Sequence, residues 1–245
     1  MKYEKMLPFE LQKAIEENKP VLIPFGNLEY HSYHLPFGCD AMNAVFPLQE
    51  IEKKHSNEVI LMPPFYYGTS SYAVAGSKKG TISIDSEIIM KFAEELFKNL
   101  LEIGFRNIHC FVAHQTENFY QGMPYDLSLR LAARRAIFSF VEKEKGQGWW
   151  GNKETASYYE EKENIFDSIQ VHGEPEQILK VFGGDHAGKL ETSSVMYMYP
   201  ELVRMNLRDS SEDWFAEKAI YANKEFGEKY IKDKIEIFEN MIFKK

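Results

Sequence analysis

Residues 21–34 read VLIPFGNLEYHSYH, and this stretch decides how the whole chain is interpreted. Its first five residues form an apolar run bounded by turn-forming residues, which is typical of a buried strand in a parallel sheet. Similar short apolar runs occur at 59–62 and 108–113. Polar segments directly follow the first and the third run. The pattern therefore predicts parallel strands with polar side chains at their carboxyl ends, where ligand sites of such sheets lie.

Amphipathic segments separate and follow the apolar runs. Between Ser86 and Gly104, apolar residues recur at helical spacing, with Ser86 as the predicted N-cap and Gly104 as the predicted end. The same pattern predicts a helix over 125–145 and one or two helices over 211–243. Strands that alternate with helices indicate an α/β fold with a mostly parallel central sheet covered on both faces. We expect a single domain over residues 1–245.

The composition excludes several classes of protein. The formal net charge of −8 and the absence of a long basic stripe argue against a nucleic-acid partner. No apolar run approaches the roughly 20 residues that cross a bilayer, and the charged start lacks the apolar core of a signal peptide. The two cysteines, Cys39 and Cys110, are too few for a disulfide framework. We expect a cytoplasmic protein without a membrane partner, in which both cysteines are buried small side chains.

The first polar segment concentrates groups that bind metal ions. Glu29, His31, His34 and Asp40 lie within twelve residues. In an extended segment residues two apart project to the same side, so Glu29 and His31 can face neighbouring ions. Asp40, beyond a turn, can return and bridge two ions with its carboxylate oxygens. The alternative is that these are exposed loop residues, or histidines that are hydrogen-bonded within the core.

The second polar segment begins with His114, directly after the apolar run 108–113. A histidine at a strand end beside a turn is well placed to bind a metal ion. Either Glu117 or Glu191 can supply a further carboxylate. This second cluster favours a metal site over the reading as unrelated loop residues.

A third segment, residues 183–193, is rich in glycine and follows the run 178–182, which we interpret as a strand. Its His186 can act as a general acid or base, because an imidazole titrates near neutral pH. The alternative is a helix N-terminus at Asp185 or Gly188 with structural capping groups.

Aromatic residues mark two candidate substrate contacts. Trp149 and Trp150 form a pair in a glycine-rich segment, and they can cover a small planar substrate. The alternative is packing on their own or a neighbouring subunit. Tyr72 ends a tyrosine-rich segment that either lines a pocket or fills the space beneath a loop.

The order of these motifs resembles the creatininase (creatinine amidohydrolase) family. Glu-x-His-x-x-His-Leu-Pro followed by an aspartate comes first, a histidine after a strand comes second, and His-Ala-Gly-x-x-Glu-Thr-Ser comes third. The resemblance runs over residues 21–203. It implies a three-layer α/β/α sandwich and a homo-oligomer, with a hexamer favoured.

The resemblance also implies an activity and a set of roles. It implies hydrolysis of a cyclic amide or another C–N amide bond of a small molecule by a metal-activated water. Two divalent ions, zinc or manganese with iron as a further option, are implied as cofactors. His186 is implied as the proton-transfer residue, with Glu191 in the same motif, and Trp149 or Trp150 as an aromatic lid. The implied metal ligands are Glu29, His31, Asp40, His114 and Glu117.

Two departures from the family pattern leave alternatives open. Glu117 lies three residues after His114, whereas creatininases have a glutamate two residues after that histidine. Lys189 stands where many members have glutamate, and its ammonium group can replace part of the charge of the second ion. The alternative functions are a formamide hydrolase acting on a biosynthetic intermediate and a degenerate, non-catalytic metal-binding homologue.

Overall fold

The computed structural model describes residues 1–114, 121–157 and 164–243, so Glu117 lies outside the described residues. Its strands and α-helices follow one another along the chain as α1 (Pro8–Glu16), β1 (Val21–Phe25), α2 (Cys39–Lys54), β2 (Ile60–Leu61), α3 (Ser86–Ile103), β3 (Ile108–Val112), α4 (Pro124–Lys145), β4 (Ile169–His172), α5 (Glu176–Phe182), α6 (Lys189–Met198) and α7 (Lys224–Ile242).

The four strands form a parallel sheet in the order β2-β1-β3-β4. In β1, Val21, Ile23 and Phe25 face a core that also contains side chains of α1, α3 and α4. Leu22 faces the opposite core, with side chains of α2 and α7. Because successive side chains of a strand point to opposite faces, helices cover both sides of the sheet. The predicted α/β/α sandwich with a parallel central sheet is confirmed.

Most predicted elements lie where the sequence places them. The predicted strands at 21–25 and 108–113 are β1 and β3, and the predicted helix over 125–145 is α4. The N-cap of α3 is Asp85, whose side chain accepts a hydrogen bond from the amide of Glu87, so the helix starts one residue earlier than predicted. Gly104 ends α3 with φ +121°, a conformation that glycine adopts without strain.

The strand predicted at 178–182 is wrong, because these residues belong to the helix α5. Pro175 stands at the N-cap, and its fixed φ favours the entry into a helix. Gly183, at φ +75°, ends the helix. The strand in this part of the chain is β4, which lies just before α5. Its polar and apolar residues alternate, so it does not stand out as an apolar run in the sequence.

The C-terminal region, predicted as one or two helices, contains a 3₁₀ helix over Trp214–Tyr221 followed by α7. Both elements pack on α6. No helix in the described part of the chain is long and apolar enough to cross a membrane.

The helices α6 and α7 approach each other closely at Gly227, which has no side chain. A Cβ atom at this position would lie 1.9 Å from the carbonyl oxygen of Ser193. The close approach therefore depends on glycine, since any larger residue forces the two helix backbones apart.

We predict that Gly227→Ala lowers the free energy of unfolding by about 1–3 kcal/mol, because overpacking displaces α7 from α6. Denaturant unfolding measures the change. The control is Gly76→Ala, because a Cβ there meets no atom within 4 Å. Equal stability of the two variants would contradict the packing argument.

Two histidines form a hydrogen-bonded chain across β3 and β4. His109 donates its Nε2 proton to Asn107 Oδ1 at 2.8 Å, and its Nδ1 accepts a proton from His172 Nε2 at 2.9 Å. Protonation of both rings would set two donors against each other across this contact. Burial lowers the pKa of His109 to about 3 and that of His172 to about 4.

Because these folded-state pKa values lie below the ordinary value of about 6.5, the unfolded chain binds more protons at mildly acidic pH. The stabilisation is complete above pH ~6.5 and is lost as the pH falls towards the folded-state pKa values. We predict that the free energy of unfolding falls more steeply between pH 7 and pH 5 in the wild type than in His172→Gln, by on the order of 2 kcal/mol. Parallel pH profiles of the two proteins would contradict this prediction.

Candidate metal centre

The carboxyl ends of the parallel strands bring the first two polar segments together, as predicted. Glu29 and His31 lie in the loop after β1, and His114 lies two residues after the end of β3. Asp40 is in the first turn of α2, and Glu191 is in the first turn of α6. Four of these side chains are 6% exposed or less, and Glu191 is 20% exposed. The sheet edge thus carries a buried cluster of acids and imidazoles.

Asp40 lies at the centre of this cluster. Its Oδ2 is 3.1 Å from His114 Nδ1, and Glu29 Oε2 is 3.2 Å from the same nitrogen. Its Oδ1 is 3.4 Å from His31 Nε2, and Glu191 Oε2 is also 3.4 Å from that nitrogen. The two oxygens of one carboxylate therefore face two different imidazoles, each of which also faces a second carboxylate.

The orientation of His31 leaves a free ligand atom in this cluster. Its Nδ1 lies 3.0 Å from the carbonyl oxygen of Glu29, which can only accept a hydrogen bond. The Nδ1 therefore carries a proton, and Nε2 of the neutral ring carries a lone pair. This Nε2 is buried without a hydrogen-bond partner in the described residues. A metal ligand whose other ring nitrogen is fixed by a carbonyl is a recurrent arrangement in metal proteins.

The electrostatics of the cluster call for positive charge. Burial alone lowers the pKa of His114, but Asp40 and Glu29 outweigh it and raise this pKa to about 10. Burial also opposes the charged form of His31, yet Glu191 and Asp40 raise its pKa above the usual range. Burial raises the pKa of Asp40, and the neighbouring His31 and His114 lower it below its usual range. The carboxylates thus hold a proton on each imidazole. Divalent cations can take the place of these protons, and the carboxylate and imidazole donors fit such ions.

Ser70 is a member of the cluster that the sequence did not indicate. Its hydroxyl donates a hydrogen bond to Glu29 Oε1 at 3.0 Å, in a buried position. Tyr72, the residue predicted for substrate contact in the same segment, is 48% exposed. The sequence left this segment open between a pocket lining and a loop filling, and a serine hydroxyl carries no spacing signal that separates it from a turn residue.

The third polar segment combines the two readings that the sequence left open. Asp185 caps α6 by accepting hydrogen bonds from the amides of Leu190 at 2.6 Å and Glu191 at 3.2 Å. His186 Nε2 donates to the carbonyl of Tyr30 at 2.9 Å, and its ring lies 4.2 Å from that of His31. The segment is therefore a capped helix N-terminus, and it also places His186 and Glu191 at the cluster.

The ammonium group of Lys189 contacts α7 in the structure. Its Nζ lies 3.9 Å from the centre of the Phe226 ring, in a cation–π contact with α7. The hypothesis that its ammonium group replaces part of a second ion is therefore not supported by its position.

A second buried polar group borders the cluster and was missed in the sequence. Lys234 Nζ lies 2.6 Å from Glu174 Oε2, and the hydroxyl of Tyr230 donates to Glu174 Oε1 at 3.0 Å. These side chains line a cavity of about 60 Å³ together with Asp40 and His114. Glu174 follows β4, so it reaches the same edge of the sheet. For the segment that contains Lys234, the sequence predicted only one or two helices.

The tryptophan pair is not brought to the cluster within one chain. The N-terminal end of α4 is at the cluster, where the ring of Tyr125 lies 6.3 Å from that of His114. The pair follows the other end of this 22-residue helix, about 33 Å away. There Trp149 and Trp150 line a separate cavity of about 510 Å³ with Phe138 and Phe166. A lid over the cluster of the same chain is therefore wrong for this pair.

A parallel α/β/α sandwich with buried carboxylates and imidazoles at the carboxyl edge defines a metal-binding α/β protein. The family model described as creatinine amidohydrolase matches residues 4–234. The chain therefore belongs to the creatininase family, as its motifs indicated.

Comparison with individual proteins agrees with this assignment. A creatinine amidohydrolase of Pseudomonas putida is 22% identical over 189 residues, which are 76% of this chain and 66% of the relative, just under two thirds of its length. Among solved structures, a manganese creatininase has a TM-score of 0.70 at 16% identity and covers 100% of this chain and 99% of its own.

A creatininase mutant complexed with creatine has a TM-score of 0.71 at 16% identity, with 98% of this chain and 96% of that chain covered. A putative creatinine amidohydrolase from Bacteroides fragilis has a TM-score of 0.59 at 18% identity, with 93% and 91% covered. At these identities the structural matches establish the shared fold.

Proposed function

We propose that this chain is a metal-dependent amidohydrolase that hydrolyses a cyclic amide or another C–N amide bond of a small molecule, with two divalent ions. The observation that carries the proposal is the position of Asp40, whose oxygens lie 3.4 Å from His31 and 3.1 Å from His114. A carboxylate between two separate imidazoles is placed to bridge two ions. The related creatininases described with manganese and with two zinc ions support the same class of chemistry.

The donors divide into two sets that share Asp40. Glu29, Asp40 and His114 would hold the first ion, and their ligand atoms all lie within 4.8 Å of one another. His31 and Glu191 would hold the second ion together with Asp40. Mixed carboxylate and imidazole donors suit zinc or manganese. Glu191 thereby supplies the carboxylate that the sequence assigned to either Glu117 or Glu191.

The bound ions would supply stabilisation of a hydroxide nucleophile and of the negative charge that develops on the substrate carbonyl oxygen. His186 is positioned for the accompanying proton transfer. Since its Nε2 proton is held by the Tyr30 carbonyl, Nδ1 is the nitrogen with a free lone pair. It would accept the proton of the attacking water and pass it to the nitrogen of the breaking C–N bond. Ser70 and the Glu29 carbonyl keep Glu29 and His31 in place.

We also propose a cytoplasmic homo-oligomer, with a hexamer favoured. Leu127, Leu131 and Phe138 lie on one side of α4 and are 47%, 51% and 46% exposed. Contact between copies of the chain would remove these apolar side chains from water. Tyr72 would contact substrate from its own chain, whereas the Trp149 and Trp150 pair would do so only if a neighbouring copy brings the pair to a metal centre.

We predict two divalent ions per chain in protein purified without chelator, and about one in His114→Ala. Loss of this imidazole leaves the first ion with two carboxylates, while the donors of the second ion remain. Elemental mass spectrometry measures both values. His55→Ala is the matched control, because His55 pairs with Glu58 and Glu239 at the end of α2 opposite to the turn that carries Asp40. A chain that binds no ion after addition of zinc or manganese would favour the non-catalytic homologue.

We predict that His186→Gln lowers kcat/KM by about 10²–10⁴-fold with unchanged metal content, because the variant lacks the proton-transfer group. The assay screens cyclic amides, creatinine among them, and formamides against the metal-loaded protein. Turnover of formamides alone would identify the formamide hydrolase instead. Full activity of His186→Gln would remove the proposed role of this residue.

A further inference from the structure

Cys39 is a buried thiol beside the donors of the second ion. It is the first residue of α2, directly before Asp40, and its side chain is 0% exposed. The Cys39 Sγ, a ring nitrogen of His31 and a carboxylate oxygen of Glu191 all lie within 4.8 Å of one another. Three different donor types thus border one space.

The orientation of His31 points independently to a ligand at this place. Its Nε2 is buried and without a hydrogen bond in the described part of the chain, and it faces Glu191 and Asp40 at 3.4 Å each. Two buried carboxylates that face one imidazole nitrogen call for positive charge between them, either a proton on Nε2 or a metal ion in its place. The sulfur of Cys39 borders this same space.

Burial and the nearby Glu191 and Asp40 raise the pKa of the Cys39 thiol, so a thiolate here needs a bound cation, and one neighbouring group favours the anion. Asn43, one turn further along α2, directs its Nδ2 to the Cys39 carbonyl at 3.0 Å and to Sγ at 3.7 Å. An N–H group that points at a sulfur stabilises the anionic form, as does the first turn of a helix. On its other side Cys39 packs against Leu35, Ala187 and Val195, which hold the sulfur in position. Cys110, in contrast, lies in the apolar core of β3.

We propose that Cys39 is a thiolate ligand of the second ion, together with His31, Asp40 and Glu191; this inference rests on the proposed function. On binding, the Sγ–H bond is replaced by a bond from Sγ to the ion, and the proton leaves to solvent, without change of oxidation state. The two ions then differ in their surroundings. The first has only oxygen and nitrogen donors, whereas the second has a soft sulfur donor that favours zinc or cobalt over manganese.

Cobalt(II) substitution tests the sulfur directly, because a thiolate bound to cobalt gives a charge-transfer absorption band in the near ultraviolet. We expect this band in the full-length protein loaded with two cobalt ions per chain. The chain contains only two cysteines, so retention of the band in Cys110→Ser assigns it to Cys39 even if Cys39→Ser does not fold. In folded Cys39→Ser we expect loss of the band and a shift of the second ion from zinc towards manganese when both are offered.

Each other outcome overturns the proposal in a distinguishable way. Two bound cobalt ions without the band would exclude Cys39 as a ligand and leave the proposed amidohydrolase intact. Loss of the band in Cys110→Ser would identify Cys110, and not Cys39, as the sulfur ligand. No bound cobalt, zinc or manganese at all would overturn both this inference and the proposed function.

Discussion

The structure depends on the concentration of negative charge at one edge of its sheet. Glu29, Asp40 and Glu191 lie close together around His31 and His114, in a region with little access to water. Buried carboxylates repel each other strongly unless positive charge lies between them, because the low dielectric of the interior weakens screening. The fold therefore assembles these acids only in combination with imidazoles, capping amides and a site that fits divalent cations.

The parallel sheet explains why residues far apart in sequence meet there. All strands end at the same edge, so the loops after β1, β3 and β4 contribute Glu29, His114 and Glu174. The helices α2 and α6 then point their N-terminal ends at this edge and deliver Asp40 and Glu191. Helix N-termini carry partial positive charge, which offsets part of the negative charge of these two side chains.

The sequence was most informative where a local pattern of apolar and polar residues is typical of one kind of element. The apolar run 21–25 and the following polar segment predicted β1 and its site residues, and the amphipathic spacing predicted α3 and α4. The prediction failed at 178–182, where a short apolar run is compatible with a strand or a helix and only Pro175 and Gly183 distinguish them. Ser70 and Lys234 were missed because their importance comes from contacts between distant segments. The sequence could not place Trp149 relative to the cluster, because a helical pattern does not show which end of α4 lies at the site.

The contact between α6 and α7 connects the C-terminal helix to the charged cluster. Gly227 touches the backbone at Ser193, two residues after Glu191, so a shift of α7 displaces the turn that carries this carboxylate. The packing of α7 on α6 therefore helps to fix the position of one carboxylate of the cluster, although α7 itself begins more than thirty residues further along the chain.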